Sequence, residues 1–165
     1  MNLEDLITEK IVEYCEPLNI IFVIGYTKTG KITIARKLAK ELNRTLLISD
    51  EFIEKYGHED AITYLENELQ QYYYSVTPII VEGILGFRLL RKLAKDGYIV
   101  PDLIIKTQCN EATITHFYNK DGEGYKITRA LGFNKGLEKI WNEYLYFIHS
   151  NFKKPKLLNL NTSIY

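Results

Sequence analysis

The chain has 165 residues, 46% of them hydrophobic, and its 21 basic and 21 acidic side chains cancel to a net charge of zero. That is enough apolar material for one domain with a full core. It leaves no room for a second domain of ordinary size and gives no reason to expect a general nucleic-acid or membrane-surface binder. With that charge balance, partners are expected to be small anions held locally; two cysteines, Cys15 and Cys109, are too few and too far apart for a metal cluster and read as reduced, inert thiols.

In chain order, Leu3, Leu6, Ile7, Ile11, Val12 and Cys15 recur at helical spacing and predict an amphipathic leader helix, within residues 1–17, that Pro17 ends. The leader is acidic where a secretory signal is basic, and no apolar run approaches membrane-spanning length, so the default expectation is a cytoplasmic protein. Residues 19–24 form a short apolar, β-branched and aromatic run of the buried-strand type. The run Gly25-Tyr26-Thr27-Lys28-Thr29-Gly30-Lys31 follows, and then Ile34, Leu38 and Leu42 at helical intervals. Residues 45–49 predict a second strand, 58–74 a helix with Ile62, Leu65 and Leu69 as its apolar stripe, and 78–83 a third strand ending in Glu82 and Gly83. Residues 85–95 read as a helix and 102–107 as a fourth strand, with Asn110 capping a helix that runs to about Asn119. Residues 136–151 read as the last helix and 156–160 as a fifth strand. This alternation predicts an α/β fold, a parallel sheet covered on both faces, whose ligands gather at the carboxyl ends of the strands.

The run from Gly25 to Lys31 fits a phosphate-binding P-loop at every fixed position, but Ile32 stands where Ser or Thr is expected. The glycines let successive N–H groups converge on phosphate oxygens, Lys31 reaches the β- and γ-phosphates, and the missing hydroxyl would have held Mg²⁺. Residues Gly25 to Thr33 are therefore the expected nucleotide cradle, and the helix that starts at Lys31 adds the partial positive charge of its N-terminus. The plain alternative is a strand-to-helix turn with no ligand. Two further strand ends carry Asp50 and Glu82. Carboxylates beside a polyphosphate need bound Mg²⁺ or a hydroxyl to deprotonate, which makes Lys31, Asp50 and Glu82 the candidate catalytic residues, with Asp50 and Glu82 the candidates for the metal, directly or through water. Asp50 suits a helix N-cap equally well, and Glu82 also fits a solvated strand terminus.

Together, Gly-x4-Gly-Lys, then Ile48-Ser49-Asp50-Glu51-Phe52, then Ile79-Ile80-Val81-Glu82-Gly83-Ile84-Leu85, resemble in order and spacing the small P-loop kinases of the nucleoside and nucleotide kinase type, uridine kinase-like members above all. The resemblance covers residues 19–160 and implies a three-layer α/β/α P-loop NTPase fold around a five-stranded parallel sheet. It implies ATP or GTP as phosphate donor with Mg²⁺, Asp50 as the base or acceptor-orienting acid, and Glu82 near the acceptor and the metal's water shell. It also implies a mobile lid, here residues 119–134, and Thr33 as a contact to the α-phosphate.

Two departures stand out. Ile32 removes the direct metal ligand, and Thr33 does not simply replace it, because one residue along a helix turns the side chain by about 100°. The lid is poor in the arginines that related kinases use to clamp phosphates: its cations are Lys120, Lys126 and Arg129, and lysine lacks the planar fork of guanidinium. Arg88 and Arg91 offer an acceptor anchor or a solvated helix face, His116 a phosphate contact or a partly buried ring, and Tyr72, Tyr73 and Tyr74 a base-stacking surface or ordinary packing. Three readings follow: a small-molecule phosphotransferase, a degenerate kinase that binds nucleotide as a regulatory or interaction module, and a kinase of nucleic-acid ends. The neutral charge speaks against the last. Acceptor choice is expected in residues 52–74.

Overall fold

The computed structural model describes residues 2–96, 99–150 and 153–164. The apolar runs become β1 (Ile20–Gly25), β2 (Thr45–Ile48), β3 (Ile79–Glu82), β4 (Leu103–Gln108) and β5 (Lys156–Asn161), paired in parallel in the order β2-β3-β1-β4-β5. The expected five-stranded parallel sheet is thus present. Its helices are α1 (Glu9–Cys15), α2 (Lys31–Leu42), α3 (Ser49–Tyr56), α4 (His58–Tyr74), α5 (Leu85–Asp96), α6 (Glu111–Lys120) and α7 (Ile127–His149).

Strand alternation sorts the core into two layers. Ile21, Val23, Ile80 and Ile105 pack with the α2 stripe Ile34, Ala35 and Leu38 and with the N-terminal segment. Phe22, Ile24, Val81 and Ile104 face the other way, onto Leu65 and Leu69 of α4, Leu89 and Leu90 of α5, and Trp141 and Tyr144 of α7. Register then sets the site: Glu82 pairs with Val23 of β1 and Ile48 of β2, while β1 runs on to Gly25 beside Thr107 of β4. The ends of β1, β2 and β3 therefore open at one edge of the sheet.

The structure departs from the sequence reading at three places. The leader is a short 3₁₀ turn, Leu3–Leu6, followed by a break and then α1, because Thr8 caps a new helix by accepting the Ile11 N–H at 3.3 Å. Ser49, assigned to the second strand, instead opens helix α3, which the sequence reading offered only as the helix that Asp50 would cap. The last helix starts at Ile127, nine residues before the expected position, and runs through Gly132 and Gly136 for 23 residues. The segment expected as the lid, residues 119–134, is thus the end of α6, the 3₁₀ turn Gly124–Lys126 and the start of α7, the tip of a helical hairpin. The expected end of that helix at Asn151 lies outside the described residues. Among the described residues, no helix is long and apolar enough to cross a membrane.

Candidate active site

The loop between β1 and α2 turns through left-handed residues Lys28 (φ 60°) and Gly30 (φ 78°). Its first part is fastened to the fold. Thr29 Oγ1 donates to Tyr26 O at 2.8 Å and meets Thr107 Oγ1 at 2.7 Å. A Cβ at Gly25 would run into both of those hydroxyls, so a side chain there is excluded by close approach. Thr27 N–H donates to Asn134 Oδ1 of α7 at 3.2 Å, and Lys28 Nζ pairs with Asp121 at the end of α6 at 2.7 Å. Lys31 folds back, its Nζ donating to Tyr26 O at 3.1 Å. The first helical bond of α2 runs from Ile34 N–H to Gly30 O at 3.1 Å. The N–H groups before Ile34 have no acceptor within the helix, and Gly30, Lys31 and Ile32 line an adjoining cleft.

That cleft has a volume of about 620 Å³, ample for a small-molecule ligand. Ile48, Asp50, Glu51 and Glu54 form its α3 wall, Glu82 its floor, and Ile32 and Arg36 its α2 wall. Leu3 from the N-terminal turn lies against Gly30. Asp50 sits exposed in the first turn of α3, favourably placed for the helix dipole. It is not the cap, since Ile48 holds that position, and the N-cap reading falls. The α3 corner is locked to the β3 corner by Ser49, whose Oγ accepts the Leu85 N–H at 3.4 Å and lies where a side chain at Gly83 (φ 127°) would go.

Glu82 is 4% exposed, so the solvated-terminus reading also falls. Burial raises its carboxyl to about 7; Lys31 pulls it back down and Asp50 pushes it further up. Burial likewise lowers the Lys31 ammonium below its ordinary value, while Glu82 and Asp50 hold it up. Five carboxylates (Asp50, Glu51, Glu54, Glu82, Asp121) and three cations (Lys28, Lys31, Arg36) line the cleft. A bare polyphosphate meets net negative charge there, whereas one complexed to a divalent cation does not. No group of three or more metal-ligating side chains exists among the described residues. Asp50 and Glu82 suit Mg²⁺ all the same, because that ion is commonly held by one or two carboxylates plus substrate phosphates and water.

A second cleft, about 720 Å³, lies on the other side of the loop and is lined by Thr27, Tyr118, Tyr125, Lys126, Arg129 and Phe133. The structure thus brings Gly30, Lys31, Ile32, Asp50 and Glu82 to one cleft, and Lys126 and Arg129 to the other. Arg88 and Lys120 are exposed and line neither; Arg91 is paired with Glu143 at 2.8 Å. Tyr72, Tyr73 and Tyr74 lie at the opposite end of the sheet, beside Asn19 and Asp102, away from the P-loop. Of the segment expected to choose the acceptor, Glu54 lines the first cleft, while Phe52 and Ile62 pack on the core and Tyr56 stacks on Tyr64 at 3.8 Å. The sequence reading missed Arg36, Glu51, Glu54 and Asn134. Arg36 lies four residues after Ile32 on the same helix face, a spacing that could have flagged it. No local signal marks Asn134, whose loop contact spans 107 residues.

No protein-family model and no curated protein matches the chain. Solved structures do. A protein from Chloroflexus aurantiacus described as a "putative kinase" is 19% identical, with 89% of each chain covered and a TM-score of 0.56. An uncharacterized protein from Eubacterium ventriosum is 15% identical over 88% of this chain and 90% of the other, with a TM-score of 0.53. Shikimate kinase from Acinetobacter baumannii, solved with shikimate, is 19% identical over 82% of this chain and 83% of the other, with a TM-score of 0.52. Likeness at these identities is likeness of fold. With the sheet order and the loop between β1 and α2, it defines the architecture as the P-loop kinase fold.

Proposed function

We propose that the protein is an ATP-dependent phosphotransferase that moves the γ-phosphoryl group to a hydroxyl or phosphate of a small molecule. The observation that carries this reading is the convergence of Lys31, Asp50 and Glu82 on one cleft at the ends of three adjacent strands. Lys31 and the free N–H groups at the start of α2 bind the phosphate oxygens, with Thr33 the candidate contact to the α-phosphate. Asp50, at the exposed rim, orients the acceptor and takes its hydroxyl proton as the new O–P bond forms and the bond to the ADP oxygen breaks. Glu82 and Asp50 would hold Mg²⁺ through water, and the ion would supply neutralisation of phosphate charge. Glu82 accordingly gives up its proton when the complex forms. The α6–α7 hairpin acts as the lid, with Lys126 and Arg129 lining the cleft that does not hold Asp50 and Glu82, and the cytoplasm, where ATP is plentiful, is the expected location.

The nucleoside-kinase type, uridine kinase-like members first, remains the finer assignment supported by the Val-Glu-Gly segment, and the shikimate complex of the Acinetobacter structure makes hydroxylated acids a second acceptor class to try. A specific observation also supports a degenerate nucleotide-binding module: the apolar Ile32 side chain lines the cleft at the position of the metal-binding hydroxyl. Phosphoryl transfer from γ-labelled ATP to a fractionated metabolite pool, with Asp50→Asn as control, separates the two. Transfer by wild type that the variant loses supports the kinase. Nucleotide binding with no transfer to any fraction contradicts it and leaves the module.

A further inference from the structure

Behind the P-loop lies a set of buried polar groups that the chemistry above leaves unused. Asn134 is 7% exposed; its Oδ1 accepts the Thr27 N–H, and its Nδ2 is buried with no hydrogen-bond partner. Thr27 Oγ1 is buried and unbonded as well. One turn along α7, Glu138 lies 3.8 Å from Lys106, a buried lysine whose Nζ sits over the ring of Tyr26 at 4.8 Å. Folded proteins rarely leave buried donors unpaired, and here an amide N–H₂ and a hydroxyl go unpaired at the loop that cradles phosphate. On the adjoining hairpin Lys126 pairs with Glu123 at 2.6 Å and Asp121 with Lys28 of the loop at 2.7 Å, while Arg129 lines the cleft beside Thr27.

In this state Asn134 Oδ1 stands in for an anionic oxygen on a P-loop N–H. We propose that Asn134 binds the terminal phosphoryl group of the nucleotide. An oxygen of that group takes the Thr27 N–H from Oδ1, the carboxamide turns, and Nδ2 together with the Thr27 hydroxyl donates to the same oxygen. Asn134 from α7 and Thr27 from the loop thereby add uncharged donors to a lid poor in arginine. The inference rests on the nucleotide reading of the P-loop.

ADP lacks the group concerned, so the ratio of ADP to ATP dissociation constants isolates the contact. Calorimetric titration of both nucleotides with Mg²⁺ into wild type, Asn134→Asp and Thr27→Val reads it directly. Wild type is expected to prefer ATP. Asn134→Asp should cut that preference about tenfold or more, because it replaces the donor with a carboxylate facing the extra phosphoryl group, with ADP weakened by clearly less than ATP. Thr27→Val should shift the ratio in the same direction by less, and it decides alone should Asn134→Asp fail to fold. A ratio unchanged in the folded variants overturns the assignment, as does equal weakening of ATP and ADP, which would make Asn134 a brace for the loop. Wild type that binds neither nucleotide overturns the P-loop reading itself, a result distinct from binding with an unchanged ratio.

Discussion

The two halves of the P-loop are built on opposite terms. From Tyr26 to Thr29 the loop is stitched to the rest of the fold, through Thr29 to Thr107 of β4, through Thr27 to Asn134 of α7 and through Lys28 to Asp121 of α6. From Gly30 onward the backbone N–H groups at the start of α2 have no acceptor in the helix and open onto a cleft floored by the buried Glu82. Under the proposed function the two halves divide the nucleotide between them: the second would seat the polyphosphate on its open N–H groups, and the first would hold its shape until a terminal phosphoryl oxygen displaces Asn134 from Thr27.

The largest expected effect breaks the second half. Lys31→Ala should weaken MgATP binding by about 4 kcal/mol, roughly a thousandfold, since it strips the buried cation from an anion site, while chemical denaturation leaves stability little changed. Equal affinity in the variant would remove Lys31 from the site.

Next comes the carboxyl that faces Lys31. Burial raises Glu82 from 4.5 to about 7, so the folded state keeps a proton that the unfolded chain releases between those values. Wild type therefore loses stability as pH climbs through that window and stays level above it. Glu82→Gln carries no such charge and should be more stable than wild type by about 3 kcal/mol near pH 8, with no difference near pH 4. Urea midpoints across that range check the sign, and a variant destabilised at high pH would contradict it. A third change strikes the first half. Gly25→Ala forces a methyl group onto the Thr29 and Thr107 hydroxyls and should cost about 2 kcal/mol of stability, read from the same urea curves. The smallest effect concerns the stitch at the surface: Asp121→Asn removes a carboxylate from the phosphate cleft and should tighten ATP binding by roughly two- to five-fold at low salt, an effect that fades as salt rises.

The loop between β1 and α2 was readable from the sequence because it is local: strand, turn and helix follow one another within residues 19–42, and each carries its own pattern. Glu82 was readable too, as an acid closing an apolar strand. The stitches were not, because they join residues far apart in the chain, and nothing at Thr27 announces Asn134. Helix α7 was misplaced for a different reason. The sequence reading began it at Gly136 and left residues 127–135 outside it, yet nothing beyond the helix's own backbone lies within 4 Å of where Cβ atoms on Gly132 and Gly136 would sit, so packing does not demand glycine there. Each costs about 1 kcal/mol in a helix. The buried stripe Ala130, Asn134, Leu137, Trp141, Tyr144 and Ile148 outweighs that cost, as tertiary burial commonly overrides local propensity.

The most direct test of the account is calorimetric titration of ATP into the purified protein with and without Mg²⁺. Five carboxylates against three cations predict that ATP binds with Mg²⁺ present and binds weakly or not at all without it, and that Glu82 releases a proton on binding near neutral pH. Binding that ignores the metal would contradict the role given to Asp50 and Glu82, and absence of binding under both conditions would contradict the P-loop as a nucleotide site.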